Sequence, residues 1–162
     1  MIDVHHEDPV LQAFMLFIQT ARQVAKYCDS RFFQASHLST VKYIALKALV
    51  INGGTLTHSD LAVWTDTERH NITTLVERMK TEGLVTTERS EDDKRFSKIK
   101  LTDKGRDLFL QANPVALGLI NDVMSGIGKR EAAQLERLLS VLKENTKRAS
   151  EKEQSKPSPP SE

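Results

Sequence analysis

Residues 67–74 read Thr-Glu-Arg-His-Asn-Ile-Thr-Thr, bringing Thr67, Arg69, His70, Asn71, Thr73 and Thr74 into one short stretch, with Arg78 a turn further on. Such short polar and basic side chains can bond to base edges and phosphate oxygens when the helix carrying them lies in the major groove of DNA. A second basic cluster follows: Arg89, Lys94, Arg95 and Lys98, gathered around the polar run Ser90-Glu91-Asp92-Asp93. A hairpin with a basic tip can lie over phosphates or enter the minor groove. Arg95 is the expected reaching side chain, with Asp93 ordering the tip by pairing with a nearby Arg such as Arg89. Either cluster alone has a plainer explanation, since any amphipathic helix has a solvated polar face and exposed ion pairs contribute little. Their succession points to DNA.

Specific elements must hold these groups. Asp8-Pro9 reads as a helix start. Leu11, Phe14, Met15, Ile18, Ala21, Ala25 and Cys28 then recur at three- and four-residue steps, the period of one helical face. A second helix is expected over 39–51, stopped by Asn52-Gly53-Gly54, and a short third over 58–64. Thr65-Asp66-Thr67-Glu68 fits a capping box opening a fourth helix, with Ile72, Leu75, Val76 and Met79 buried and Gly83 as its C-terminal cap. Leu84-Val85-Thr86-Thr87 and the alternating 96–101 segment predict a β-hairpin. Helix returns at Thr102-Asp103, where Pro114 should kink or break it. A last helix carries Leu135, Leu138, Leu139 and Leu142 before a Ser/Pro-rich tail from about residue 150.

The fold class is therefore mainly α with a small β-hairpin wing, a winged helix-turn-helix between long terminal helices. The expected division is residues 1–35 for an N-terminal dimerisation helix, 36–103 for the DNA-binding domain, 104–149 for C-terminal dimerisation helices and 150–162 for a disordered tail. The stripes at Leu11, Phe14, Met15 and Ile18 and at Leu135, Leu138, Leu139 and Leu142 exceed what a small winged domain can cover, which favours a homodimer interface.

The 162 residues are 39% hydrophobic and 28% charged, with a net charge of +1, an ordinary globular composition. The apolar run at 10–18 is too short to span a bilayer, and residues 1–8 lack the pattern of a signal peptide, so no membrane partner and a cytoplasmic location are expected. Residues 67–98 hold seven acids and seven bases, so affinity for DNA must come from placement of charge rather than excess. The five histidines include no i, i+4 pair and the lone Cys28 has no cysteine partner, so neither metal nor cofactor is expected. No nucleophile–base or phosphate-loop motif is present, which argues against an enzyme.

The chain resembles the MarR family of transcription regulators over roughly residues 9–146. The resemblance rests on Asn71-Ile72-Thr73-Thr74-Leu75-Val76-Glu77-Arg78-Met79, on Glu82-Gly83-Leu84-Val85, on the wing Glu88-Arg89-Ser90-Glu91-Asp92-Asp93-Lys94-Arg95 and on Ile99-Lys100-Leu101-Thr102-Asp103-Lys104-Gly105. The Asp-x-Arg of the wing and the Leu-Thr-x-x-Gly behind it are specific in combination. One departure is Trp64-Thr65-Asp66-Thr67, where the family often has an apolar residue and a Gly.

This resemblance implies a triangular homodimer whose first and last two helices form the interface. It places residues 67–74 in the major groove of double-stranded DNA and Arg95 at the wing tip, ordered by Asp93. It further implies regulation, often repression, at a near-palindromic operator. A small aromatic or phenolic effector is a candidate partner, and Cys28 a candidate redox sensor, with Lys26 and Arg31 near it; a small buried apolar role is the simpler account of Cys28. The competing function is a protein-interaction module that keeps the winged fold without reading DNA, favoured by the neutral charge of residues 67–98.

Overall fold

A computed structural model describes residues 8–89 and 97–154. The element order is α1 (Pro9–Ser36), α2 (Thr40–Ile51), β1 (Thr55–Thr57), α3 (His58–Thr65), α4 (Arg69–Thr81), β2 (Val85–Arg89), β3 (Ser97–Leu101), α5 (Asp103–Val123) and α6 (Lys129–Gln154). The chain divides into two compact units, Met1–Val123 and Met124–Glu162.

Local chemistry accounts for most helix boundaries of the first unit. Asp8 caps α1, its carboxylate accepting the Val10 N–H at 2.8 Å, and Pro9 takes the first-turn position where no amide is needed. Ser39 caps α2. Asn52-Gly53-Gly54 ends it in a left-handed turn, with the Gly54 N–H donating to the Leu49 carbonyl at 2.8 Å. The Asp29 carboxylate on α1 accepts the Thr40 N–H at 2.8 Å, tying α1 to the start of α2.

The sheet has three strands in the order β1-β3-β2, all antiparallel, so the hairpin expected from the sequence gains a third strand. The three residues of β1 are too few to show an alternating pattern. They are strand because Leu56 pairs with Ile99 and is buried against the core. Ile99 sits at the centre of the sheet, opposite Leu56 on one side and Thr87 on the other, and is fully buried.

Leu46, Leu49, Leu61, Ile72, Val76, Met79, Leu84 and Ile99 form the core between α2, α3, α4 and the sheet. Each buried aliphatic side chain contributes about 1.5–3 kcal/mol relative to exposure. A stack of aromatic rings extends this core outward: Phe32 of α1 lies 4.6 Å from Tyr43 of α2, which lies 5.7 Å from Phe109 of α5. The Tyr43 hydroxyl donates to Asn113 Oδ1 at 3.0 Å, and Tyr27 on α1 donates to Asp122 on α5 at 2.9 Å. Burial raises the Tyr43 phenol above its ordinary pKa, and the Asp122 hydrogen bond does so for Tyr27.

Two expectations change. Pro114 lies inside α5, yet the helix runs unbroken from Asp103 to Val123, held by the buried face of Phe109, Ala112, Ala116 and Leu119. In the second unit, α6 continues to Gln154, past the expected start of the tail at residue 150. Residues 155–162 lie outside the described residues. None of residues 129–153 of α6 is buried.

Candidate nucleic-acid interface

The α3–α4 pair is built by caps on one helix and a tight turn before the other. The capping box expected at Thr65–Glu68 is instead at Thr57 and Asp60, opening α3: Asp60 N–H donates to Thr57 Oγ1 at 3.1 Å, and the Asp60 carboxylate accepts from the Thr57 backbone. Thr65 cannot cap α4 because it is still the last residue of α3, buried, its hydroxyl donating to the Leu61 carbonyl at 2.8 Å. Asp66 then turns the chain through the left-handed region at φ 50°, a conformation Asp tolerates better than most residues. Glu68 stands at the N-cap of α4 without a capping bond, its carboxylate 3.4 Å from His70 Nδ1.

From there α4 has two sharply different sides. Ile72, Leu75, Val76 and Met79 are buried. His70, Asn71, Thr73, Thr74 and Arg78 are exposed together on the opposite side, with a shallow groove along Thr73, Thr74, Glu77, Arg78, Thr81 and Glu82. Lys80 Nζ lies 2.9 Å from Glu77, offsetting a carboxylate that would repel phosphate from this face. Thr67 differs from the set in which the sequence places it: it is half-buried in the turn, and its hydroxyl donates to the Thr65 carbonyl at 3.1 Å. Arg69 occupies the first position of α4.

The hairpin follows α4 directly. Glu88 and Lys98 face each other across β2 and β3, and Lys100 Nζ reaches Glu88 at 3.1 Å, so the base of the wing is cross-linked by charge. Ser97 Oγ and His58 Nδ1 lie 3.2 Å apart, joining the start of β3 to the start of α3. Lys98 is exposed, and Arg89 ends β2. Asp93, Lys94 and Arg95, with the proposed Asp93–Arg89 pairing, lie outside the described residues.

The remaining expected sites fall elsewhere. Leu11, Phe14, Met15 and Ile18 on α1 are exposed, as are Leu135, Leu138, Leu139 and Leu142 on α6. Cys28 is half-buried against the core, and burial, then Asp29, push its thiol pKa up, the opposite of what a reactive thiolate needs. Among the described residues no His, Cys, Asp or Glu cluster could hold a metal, and no helix is long and apolar enough to cross a membrane.

Sequence reading passes over a set of contacts behind α4. Lys42 on α2 pairs with Glu82, and Lys104 and Thr102 bond to the carbonyls that follow α4. These partners are 19 to 40 residues apart in sequence, and no local pattern joins them.

Helix, turn, helix and then a hairpin at once, with the outer face of the second helix polar, define a winged helix-turn-helix protein. Residues 38–95, the winged segment, match the model of the MarR family. BldR, a transcriptional regulator from Sulfolobus solfataricus, is 28% identical over 85% of this chain and 96% of its own, with a TM-score of 0.72. The organohalide-sensing RdhR-CbdbA1625 transcriptional regulator, in its 2,4-dichlorophenol-bound form, is 27% identical over 83% of this chain and 79% of its own, at 0.73. Sco3205, a MarR family regulator from Streptomyces coelicolor in complex with DNA, shares the fold at a TM-score of 0.80, with 19% identity over 84% of this chain and 90% of its own. No curated protein matches the chain.

Proposed function

We propose that this protein is a sequence-specific regulator of transcription, a repressor, that binds a near-palindromic site on double-stranded DNA as a homodimer. The observation that carries this reading is the exposed row His70, Asn71, Thr73, Thr74 and Arg78 on the helix that precedes the wing. Asn suits adenine, Thr can meet the thymine methyl, and Arg suits guanine or phosphate. Arg69, Arg89, Lys94, Arg95 and Lys98 complete the surface, with Arg95 at the wing tip and Asp93 ordering it. Thr67 acts through the turn that sets α4.

The exposed stripes of α1 and α6 support a dimer, since contiguous apolar surface of this kind marks an interface. Two copies give two half-sites about one helical turn apart. The working division of the chain is an N-terminal dimerisation helix to residue 35, a DNA-binding domain over 36–103 and dimerisation helices from 104 to the end of α6 at Gln154, followed by the tail. The dichlorophenol bound to RdhR-CbdbA1625 supports a search for a small aromatic effector here, and cytoplasm is the working location.

The test is binding of the purified protein to genomic fragments, its own promoter region included, at two salt concentrations. Selective binding that weakens steeply with salt supports the reading, because phosphate contacts release counterions. Arg95→Ala should weaken binding at least tenfold, about the cost of one charge-assisted contact, with the dimer intact. A folded dimer with no selective binding at low salt would instead favour the interaction module, to which the balanced charge of residues 67–98 points.

A further inference from the structure

We propose that the start of α5 is the positioning device of the α4 recognition helix, with Thr102 and Lys104 as its positioning residues. This rests on the DNA reading above and adds to it the part that aims the reading helix.

The carbonyls at and after the end of α4 carry the argument. The helix closes on itself through Gly83, whose N–H donates to the Lys80 carbonyl at 2.8 Å, and Leu84, whose N–H donates to the Met79 carbonyl at 2.9 Å. Three further carbonyls, those of Glu82, Gly83 and Leu84, are met from the start of α5. Lys104 Nζ donates to the Glu82 carbonyl at 2.7 Å. The Thr102 hydroxyl lies 2.8 Å from the Gly83 carbonyl and 2.9 Å from that of Leu84, sharing one hydrogen between them. The Thr102 N–H also donates to Leu84 at 3.1 Å, and the Thr102 oxygen accepts the Gly105 N–H at 3.0 Å.

Two more features make this joint stiff. A Cβ on Gly105 would stand 2.2 Å from the Leu84 carbonyl oxygen, so the two backbones meet as closely as they can. From the other side, Lys42 of α2 holds the Glu82 carboxylate. The Lys104 ammonium also stands at the negative end of the α4 dipole.

The leverage follows from length. The 13 residues of α4 span about 20 Å. A tilt of about 5° at the joint would therefore move the first turn by nearly 2 Å, enough to lose a hydrogen bond to a base edge. Phe109 ties α5 to Tyr43 of α2, and Asp122 ties it to Tyr27 of α1. The place of α5 thus sets the aim of α4, while Thr102 and Lys104 touch no DNA themselves.

The experiment compares Thr102→Val, Thr102→Ser and Lys104→Met with wild type in three measurements on the full-length protein. These are affinity for the selected fragment, affinity for unrelated DNA, and amide exchange of the free protein at residues 79–85. Thr102→Val should lose about tenfold in selective affinity, the worth of about one hydrogen bond, while unrelated DNA binds as before. Its exchange at 79–85 should quicken, and Thr102→Ser, which keeps the hydroxyl, should restore both. Equal loss on both DNAs, or unchanged exchange, would overturn the proposal.

Should Thr102→Val not fold, Lys104→Met poses the question at an exposed residue. A drop in selective affinity at unchanged salt slope supports positioning. A slope shallower by about one marks Lys104 as a phosphate contact and sinks its positioning role. If the wild type selects no DNA, the DNA reading and the aiming role fall together, and the exchange rates alone then decide whether the joint is a clamp.

Discussion

On α2, Tyr43, Ala45, Leu46, Ala48 and Leu49 are buried within their own chain; on α6, Leu135, Leu138, Leu139 and Leu142 recur at similar spacing and every one is at least 37% exposed. The first half of α1 behaves like α6, for Phe32 near its far end is its one buried residue. Helical periodicity thus says that a helix has an apolar side but not what meets it. Around α2, short connections bring α3, α4 and the sheet back onto that side. Among the described residues of its own unit, none covers α6 in the same way.

The strongest way to break this contrast is at Leu46, which has no exposure. Leu46→Ala should lower stability by about 2–5 kcal/mol, read from the urea midpoint and independent of protein concentration. Leu139→Asp should do the reverse: the winged core keeps its circular dichroism, while the proposed dimer dissociates at least about a hundredfold more readily in sedimentation velocity, the effect of a carboxylate buried without a partner. A Leu139→Asp protein still dimeric at micromolar concentration would assign the α6 stripe to some other partner.

Smaller effects sharpen the map inside the first unit. Thr57→Ala removes the capping box of α3 and should cost about 1 kcal/mol, whereas Glu68→Gln, at an N-cap that makes no capping bond, should leave thermal stability nearly unchanged. Cys28 should show the least. Its thiol is shifted upward, so less thiolate is present at neutral pH than in an unperturbed cysteine. Alkylation should be slow there and accelerate only as pH climbs past the ordinary thiol range. Rapid alkylation at pH 7, or peroxide-sensitive DNA binding abolished by Cys28→Ser, would restore the redox reading.

What the sequence revealed, and what it hid, divides along the same lines. Gly83 as the stop of α4, Asp8-Pro9 as the start of α1, and Ile72, Leu75, Val76 and Met79 as the buried side were legible because each depends on neighbours within a turn. The Thr65–Glu68 capping box was misread because Thr57–Asp60 offers the same chemistry, and Thr65 is instead the buried last residue of α3, bonded to the Leu61 carbonyl. β1 was missed because its strand character comes from Lys100, Ile99 and Lys98, more than forty residues later. The polar side of α4 was legible as composition, but the turn holding Thr67 and the clamp behind Glu82 depend on tertiary contacts. Asp93 and Arg95 remain assigned by sequence alone.

Pro114 brings a mechanical consequence. Lacking an amide hydrogen, it leaves the Leu110 carbonyl without its helical donor midway along α5. One face stays packed on both sides of that gap, Gly105, Phe109 and Ala112 before it and Ala116 and Leu119 after it, while Leu117, Ile120 and Val123 on the other face are exposed. The helix is therefore a spliced beam: where the backbone ladder lacks a rung, the packed side of Phe109, Ala112, Ala116 and Leu119 holds the two halves in line.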